Sequence, residues 1–180
     1  MAFSGDTTAA LISAVDLVNT DGEPDTLTTT DQLAEFYLEH GYMGRFDGDI
    51  AELIAVRKIR PLLGRLLLSE RDTAVGIVND MLAAAPLQPQ LVRHGNMDWH
   101  LHAIDDQQSF ADRIMIETAM AVIDVIRANE MSRLHTCGVT DCGGIVFDLS
   151  RNRSRRFCSS ACGNRVAVAA YRTRKAVARL

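Results

Sequence analysis

Two short stretches, Cys137-Gly-Val-Thr-Asp-Cys142 and Cys158-Ser-Ser-Ala-Cys162, contain all four cysteines of this 180-residue chain. Two close pairs of thiols, separated here by fifteen residues, suit a tetrahedral zinc site because each tight turn supplies two ligands. The alternative, two disulfides, suits a secreted protein. The first residues lack the positive charge that begins a secretory signal, so we expect a cytoplasmic protein with Cys137, Cys142, Cys158 and Cys162 as zinc ligands.

The residues around the cysteines predict how this metal site folds. Glycines at positions 138, 143 and 144 permit the left-handed turns of a metal knuckle. Ile145–Phe147 and residues 156–157 are β-prone and flank the polar run 148–155, which predicts a hairpin. Ser159 and Ser160 offer an N-cap for a helix that continues to residue 179. We therefore expect a treble-clef-like zinc finger of knuckle, hairpin and helix, holding one structural zinc ion.

The charge of the chain is divided between its two ends. Residues 1–130 contain nine Lys and Arg against 21 Asp and Glu, a balance of −12. Residues 131–180 contain ten Lys and Arg against two Asp and Glu, a balance of +8, so the overall charge of −4 hides a basic tail.

A basic tail on a zinc module is typical of proteins that bind double-stranded DNA. The expected DNA contacts are Arg151, Arg153, Arg155, Arg156, Asn164, Arg165, Arg172, Arg174 and Lys175. A competing interpretation is that these charges only solvate the finger or cover the acidic body.

The same tail resembles a known family. The string Phe147-Asp-Leu-Ser-Arg-Asn-Arg-Ser-Arg-Arg-Phe-Cys158, followed by Cys162-Gly-Asn-Arg165, is similar to the CGNR zinc finger of bacterial proteins. That finger follows an amino-terminal part called the ABATE domain, whose opening resembles Ala14-Val-Asp-Leu-Val-Asn-Thr20 and Asp31-Gln-Leu-Ala34. The resemblance implies a stress-linked bacterial transcriptional regulator whose finger binds DNA, with the four cysteines as its zinc ligands.

The acidic part, residues 1–131, is predicted to be mainly α-helical, and residues 132–180 form the finger. Thr29-Thr-Asp-Gln32 and Asp49-Ile-Ala-Glu52 are helix-start patterns, and Gly41 is a stop signal. Pro61 is expected to bend or interrupt the second of these helices. Residues 71–85 and 109–129 have helical spacing of apolar side chains. Residues 90–104 predict a small β-hairpin that turns at Gly95 and Asn96.

Four residues of the acidic part are candidate ligand contacts. His100 and His102 share one face of the predicted strand and could bind a metal or an acidic ligand, although a polar strand face without a ligand is the stronger explanation. Asp16 and Asn19 lie in the motif that resembles the family's opening, although a capped helix end also explains Asn19. The sequence contains no phosphate-binding glycine loop, nucleophile elbow or His-Glu-x-x-His motif, so we expect a protein that is not an enzyme.

Two functions fit these observations. In the first, a transcription factor binds double-stranded DNA through the finger, while the helical body senses a small molecule or forms a homodimer. In the second, the protein is an interaction adaptor whose basic finger docks on an acidic partner or on another copy. RNA is a subordinate variant of the first function, because only Phe147, Phe157 and Tyr171 offer rings for stacking. We expect no membrane partner, since no stretch has the length and hydrophobicity of a membrane span.

Overall fold

The computed structural model describes residues 3–93 and 98–177, which are mostly helical and contain two small antiparallel strand pairs. The acidic part, called the body below, consists of α1 (Gly5–Asn19), α2 (Thr30–Glu39), α3 (Ile50–Leu67), α4 (Arg71–Ala83), β1 (Gln90–Val92), β2 (His100–His102) and α5 (Phe110–Arg127). The finger consists of β3 (Leu134–Thr136), β4 (Ile145–Phe147) and α6 (Ser160–Val177). In the part of the chain described, no helix combines the length and the apolar character needed to cross a membrane.

The body's helices begin where the sequence predicts. The hydroxyl of Thr29 accepts a hydrogen bond from the N–H of Gln32, whose side chain completes a capping box. The carboxylate of Asp49 accepts the N–H of Glu52 at 2.8 Å and so starts α3. These caps satisfy N–H groups that have no partner inside the helix. The positive φ of Gly41, 65°, follows the end of α2 and confirms it as a stop signal.

Helix α5 is the centre of the body and packs against α1, α3 and α4. Apolar side chains at helical spacing along α5 are fully buried, and they meet fully buried leucines of α1 and α3. Phe110, at the start of α5, is enclosed by other aromatic rings, with ring centroids 4.8 Å away at Tyr42 and 5.2 Å away at Tyr37. This core joins all five helices of the body.

Helices α3 and α4 differ from the expectation. Pro61 lies inside α3 without interrupting it, because Ile59, Leu63 and Leu66 pack into the core on both sides of the proline. Burial of these side chains outweighs the loss of one backbone hydrogen bond. Helix α4 ends at Ala83, two residues before the predicted end, and Pro86 follows closely. Proline disfavours the helical conformation in the residue before it, here Ala85, which accounts for the early end of α4.

The hairpin expected in the body is confirmed, although its strands are shorter than predicted. β1 and β2 pair antiparallel, with Leu91 opposite Leu101. The predicted turn at Gly95 and Asn96 lies outside the described residues.

The prediction that Ile145–Phe147 pairs with residues 156–157 in the finger is wrong. β4 pairs with β3, not with residues 156–157, so the first two cysteines lie in the loop between the paired strands. The carboxylate of Asp148 accepts N–H groups from Ser150 at 2.7 Å and Arg155 at 2.9 Å. These bonds fold the run after β4 into a loop, which removes residues 156–157 from strand pairing.

The base of the finger is joined to the body. Leu134, Ile145 and Phe147 belong to the same buried cluster as the helices of the body. The amide of Asn19, the last residue of α1, donates to the carbonyl of Ile145 at 2.9 Å and accepts its N–H at 2.7 Å. The finger is therefore anchored through β3 and β4, while α6 extends from it.

Candidate zinc centre, nucleic-acid interface and body cavity

The four cysteines of the finger converge on one point. Their sulfur atoms all lie within 4.8 Å of one another. Three separations are 3.5 Å for Cys142 to Cys158, 3.5 Å for Cys142 to Cys162 and 3.7 Å for Cys158 to Cys162. A zinc tetrahedron with bonds of about 2.3 Å has sulfur–sulfur edges of about 3.8 Å, so the cluster fits zinc without rearrangement. This arrangement is consistent with one structural zinc ion in a closed four-sulfur shell.

The backbone at the sulfur cluster explains two of the glycines. Gly143 has a φ of 66°, so a left-handed turn is required there. A Cβ at Gly144 would lie only 3.0 Å from the sulfur of Cys158 and 3.3 Å from that of Cys142, so the cluster excludes a side chain at this position. Gly138 and Gly144 do not form left-handed turns, contrary to expectation. A Cβ at Gly138 would lie 3.1 Å from the carbonyl of Arg156.

The thiols show why a cation suits this cluster. Burial and, after it, the neighbouring thiols raise the pKa of Cys158 to about 12. Burial also acts to raise the pKa of Cys137, but N–H groups of Cys158 and Val139 outweigh it and lower the pKa to about 7. Cys137 therefore forms a thiolate readily, whereas Cys158 resists a second negative charge nearby. A divalent metal removes that resistance, because it stabilises all four thiolates together.

Helix α6 begins beside the metal site. The hydroxyl of Ser159 accepts the N–H of Cys162 at 3.2 Å, which confirms the predicted N-cap. Cys158 precedes the helix and Cys162 lies in its first turn, where the positive end of the helix dipole stabilises a thiolate. The metal site thus holds the start of α6.

The arginine-rich loop before α6 is held by buried polar contacts. Asp148 and Arg133 are both buried, and the guanidinium of Arg133 donates to the carbonyls of Asp148 at 2.9 Å and Ser150 at 3.1 Å. Arg133 also pairs with Glu130 at 2.9 Å. Burial acts to raise the pKa of Asp148, but hydrogen bonds from Ser150 and Arg155 outweigh it and lower the pKa, so the carboxylate is charged. The loop is therefore fixed at its base while its outward side chains stay free to contact a partner.

All nine residues expected to contact DNA are exposed. Among the described residues, only Arg153 has an acidic partner within ion-pair distance, namely Glu130 at 2.8 Å. Arg155 donates to the carbonyls of Phe157 and Cys158, and Arg156 lies over the ring of Phe157, 5.8 Å from its centroid. The covering of the body's acidic surface by these charges, the competing interpretation, is thus limited to one pair in the described part of the chain.

A shallow depression lies where the arginine loop meets the start of α6. It is lined by the serines at 154, 159 and 160, by Gly163, and by Arg155, Arg156, Phe157 and Asn164. Of the three stacking candidates, Phe147 is buried and unavailable, whereas Tyr171 is exposed and Phe157 is partly buried. The depression combines hydroxyl groups, two guanidinium groups and a helix N-terminus, which is chemistry suited to phosphate.

The body contains a cavity of about 280 Å³ between α1, α5, β2 and the chain after α2. His100 and His102 both line it, as their shared strand face predicts, and their Nε2 atoms are 3.1 Å apart. The Nδ1 of His100 lies 2.7 Å from the carbonyl of Asp98 and must donate to it.

Asp16 and Asn19 lie elsewhere than in this cavity. Asn19 bridges to Ile145 of the finger, as described above. Asp16 lies 3.8 Å from the Nε2 of His40, a cavity residue. Burial raises the pKa of Asp16, whereas the charges of His40 and of Arg155 in the finger lower it. Burial lowers the pKa of His40, so this contact joins a carboxylate to a neutral imidazole at neutral pH.

Sequence reasoning missed the carboxyl that lines the cavity from α5. Burial raises the pKa of Glu117 from 4.5 to about 7, and only the charge of Arg113 opposes the shift. Glu117 occupies a polar position of an amphipathic helix, a position that is ordinarily solvated. In the folded chain, α1 and β2 line the same cavity as Glu117, which the sequence of α5 does not reveal.

Two family models match the chain in agreement with the motifs. A model of the CGNR zinc finger matches residues 133–175. The ABATE model, described as "Putative stress-induced transcription regulator", matches residues 13–129. None of the curated proteins matches the chain.

Proposed function

This chain belongs to the ABATE family and carries a CGNR zinc finger, and from that premise we propose that it is a cytoplasmic regulator of transcription. Its finger binds double-stranded DNA, and its acidic body senses a small molecule or forms a homodimer. The family description is regulatory and not catalytic, so we propose no enzymatic step.

The exposure of α6 is the observation that carries this proposal. Every described side chain from Asn164 to Lys175 is exposed, so this helix is covered by no other part of the described chain. The major groove of DNA admits one α-helix. Arg165, Arg172, Arg174 and Lys175 have no acidic partner within ion-pair distance among the described residues, which leaves their charges available for phosphates.

The start of α6 suits base contacts. Recognition helices commonly contact base edges with their first residues. Asn164 and Arg165 lie in that part of α6, and their side-chain types pair with adenine and guanine. The neighbouring depression would hold a backbone phosphate against Ser159, Ser160 and the two arginines, which sets the register of the helix.

The experiment has two stages and uses the zinc-loaded full chain. First, bound fragments are selected from randomised duplex DNA at near-physiological salt, and a converging motif identifies a sequence-specific regulator. Second, affinity for the selected duplex is measured against salt for wild type, for Arg172→Ala and for Arg65→Ala, a control on the exposed face of α3. We expect Arg172→Ala to weaken binding and to reduce the salt slope by about one. An unchanged slope would refute the role of α6.

The adaptor function remains the alternative, and apolar side chains on α6 favour it. Val166, Val168 and Tyr171 are 39, 47 and 58% exposed. Because the base of the finger shares the body's core, the test uses the full chain and not an isolated finger. Self-association measured by sedimentation, with duplex DNA as competitor, separates the two functions. The adaptor predicts association that DNA does not reverse and no selected DNA motif.

A further inference from the structure

The cavity of the body is a candidate binding site in its own right. Its volume of about 280 Å³ is at the small end of the range for ligand pockets. Its apolar wall comes from Ala10, Ala103, Met120, Ala121 and Ile123. A wall of this kind accommodates a compact hydrocarbon group, since apolar surface gains free energy when it leaves water.

Most polar groups of the cavity are already engaged with protein partners. The hydroxyl of Thr7 donates to the carboxylate of Asp124 at 2.6 Å. The hydroxyls of Ser13 and Tyr42 lie 2.8 Å apart. The two imidazoles of His100 and His102 bond to each other. These pairs therefore shape the cavity and leave little unmet hydrogen-bonding capacity of their own.

The carboxyl of Glu117 is different. No hydrogen bond or ion pair joins it to any residue in the described ranges, and the half-buried residue lines the cavity. Burial raises its pKa to about 7. The charge of Arg113 opposes this shift, but Arg113 forms no ion pair with Glu117, so the carboxylate is only partly compensated. The folded chain therefore gains stability when a cation is supplied at this carboxylate.

The other charges around the cavity also favour a cation. Asp6 and Asp124 add two carboxyl groups, so three carboxyl groups face two permanent positive charges among the described residues, on exposed Arg127 and on Arg113. Burial acts to raise the pKa of Asp6, but the Ser4 hydroxyl and the Thr7 N–H outweigh it and lower the pKa, so Asp6 is ionised. An anionic ligand would therefore meet excess negative charge.

We propose that the cavity binds a small organic ammonium ion, with its charged head on the carboxylate of Glu117 and its hydrocarbon part against the apolar wall. The inference deepens the sensing part of the proposed function and rests on it. Binding is measured without DNA, so that its failure and a failure of DNA binding are distinguishable.

Binding of an ammonium ion would depend on pH through Glu117. Amines of pKa near 10 stay charged up to about pH 9, whereas Glu117 must lose its proton to bind. We expect affinity to weaken about tenfold between pH 8 and pH 6. Among the described residues, the titratable and charged groups that line the cavity with Glu117 are Asp6 on α1, His40 and Tyr42 after α2, His100 and His102 on β2, and Asp124 and Arg127 on α5. Arg113 on α5 acts on Glu117 through its charge. Asp6 is already ionised and His40 is already neutral at neutral pH.

The test titrates the zinc-loaded full chain with three compounds that share one ring: cyclohexylammonium, cyclohexanecarboxylate and cyclohexanol. Dissociation constants come from backbone NMR shifts, which also locate the binding site. We expect the ammonium ion to shift resonances of residues that line the cavity and the other two compounds to bind at least about tenfold more weakly. Equal binding of the alcohol or the carboxylate would overturn the proposal.

Two variants complete the test. Glu117→Gln keeps the shape of the side chain and removes its charge, so we expect it to lose about tenfold in affinity for cyclohexylammonium and to lose the pH dependence. Glu35→Gln, on the exposed face of α2, is the matched control and should leave both unchanged. Should Glu117→Gln fail to fold, the pH dependence of the wild type decides alone, since a flat affinity between pH 6 and pH 8 contradicts the proposal.

Discussion

The body and the outer part of the finger are held together by different means. In the body, large apolar side chains such as Leu11, Leu63 and Ile114 are completely removed from solvent. After Phe147, by contrast, the only described residues that are buried are Asp148 and Cys162. The outer finger therefore has only a small apolar cluster, in which Phe157 packs with Val146 and the cysteines, and metal bonds must supply most of its stability. The surface proposed to contact DNA thus lies on the part of the molecule with the least packing.

The largest expected effect comes from removing the metal. We expect Cys158→Ser to lose the zinc and to unfold the loop after β4 and α6, while the helices of the body stay folded. Structural zinc binding supplies about 10 kcal/mol or more to such modules. Zinc content per chain and amide exchange, measured in parallel, check the prediction.

A chelator on the wild type is the second arm of this experiment, and zinc returned afterwards should restore protection of α6. Retention of one zinc per chain in the Cys158→Ser variant would contradict the ligand assignment. Loss of the body's helices on metal removal would contradict the separation of the two stabilising mechanisms.

A core substitution should produce the opposite pattern. Leu63→Ala removes a completely buried side chain of α3 and should lower the free energy of unfolding by about 3 to 5 kcal/mol. Zinc content should stay at one per chain. Urea unfolding monitored by circular dichroism measures the change, and Leu38→Ala, at a position that is 75% exposed, is the matched control with little expected effect. Zinc loss from folded Leu63→Ala would show that the metal site depends on the core.

Glu117 adds a pH dependence to the stability of the body. Its pKa rises from 4.5 to about 7 on folding, so the folded state holds a proton that the unfolded state releases. Stability therefore falls as pH rises between these values, and the loss persists above pH 7. Relative to wild type, Glu117→Gln should be more stable by roughly 2 to 3 kcal/mol at pH 8 and by about 1 kcal/mol or less at pH 5.

Urea midpoints at both pH values check this prediction, with Glu35→Gln as the control at an exposed position. Parallel pH profiles for wild type and Glu117→Gln would show that the carboxyl is hydrated in the cavity and carries no penalty.

Local sequence signals predicted the parts of the molecule that local chemistry determines. The capping residues Thr29 and Asp49 marked helix starts, and the cysteine spacing identified the zinc site, because each depends on neighbours within a few positions. Strand β3 was missed, because Leu134–Thr136 becomes a strand only by pairing with β4. Glu117 was missed for the same reason, since its cavity is built by elements distant in the sequence.

The joint between body and finger gives the smallest expected effect and the most direct test of how the two parts communicate. Asn19→Ala removes two hydrogen bonds to Ile145, at 2.9 and 2.7 Å. The carbonyl and the N–H of Ile145 then lose their partner on α1. We expect a loss of about 1 to 3 kcal/mol and faster amide exchange at Ile145 and its neighbours, with zinc content unchanged. Asn79→Ala, on the exposed face of α4, is the matched control and should be neutral or slightly stabilising.

Because Phe147 and Leu134 still bury their side chains in the body's core, the finger should remain attached in Asn19→Ala. Unchanged exchange at Ile145 would mean that apolar packing alone joins the finger to the body. Faster exchange would identify the end of α1, the helix that also lines the ammonium cavity, as a direct polar link to the strand that carries the zinc finger.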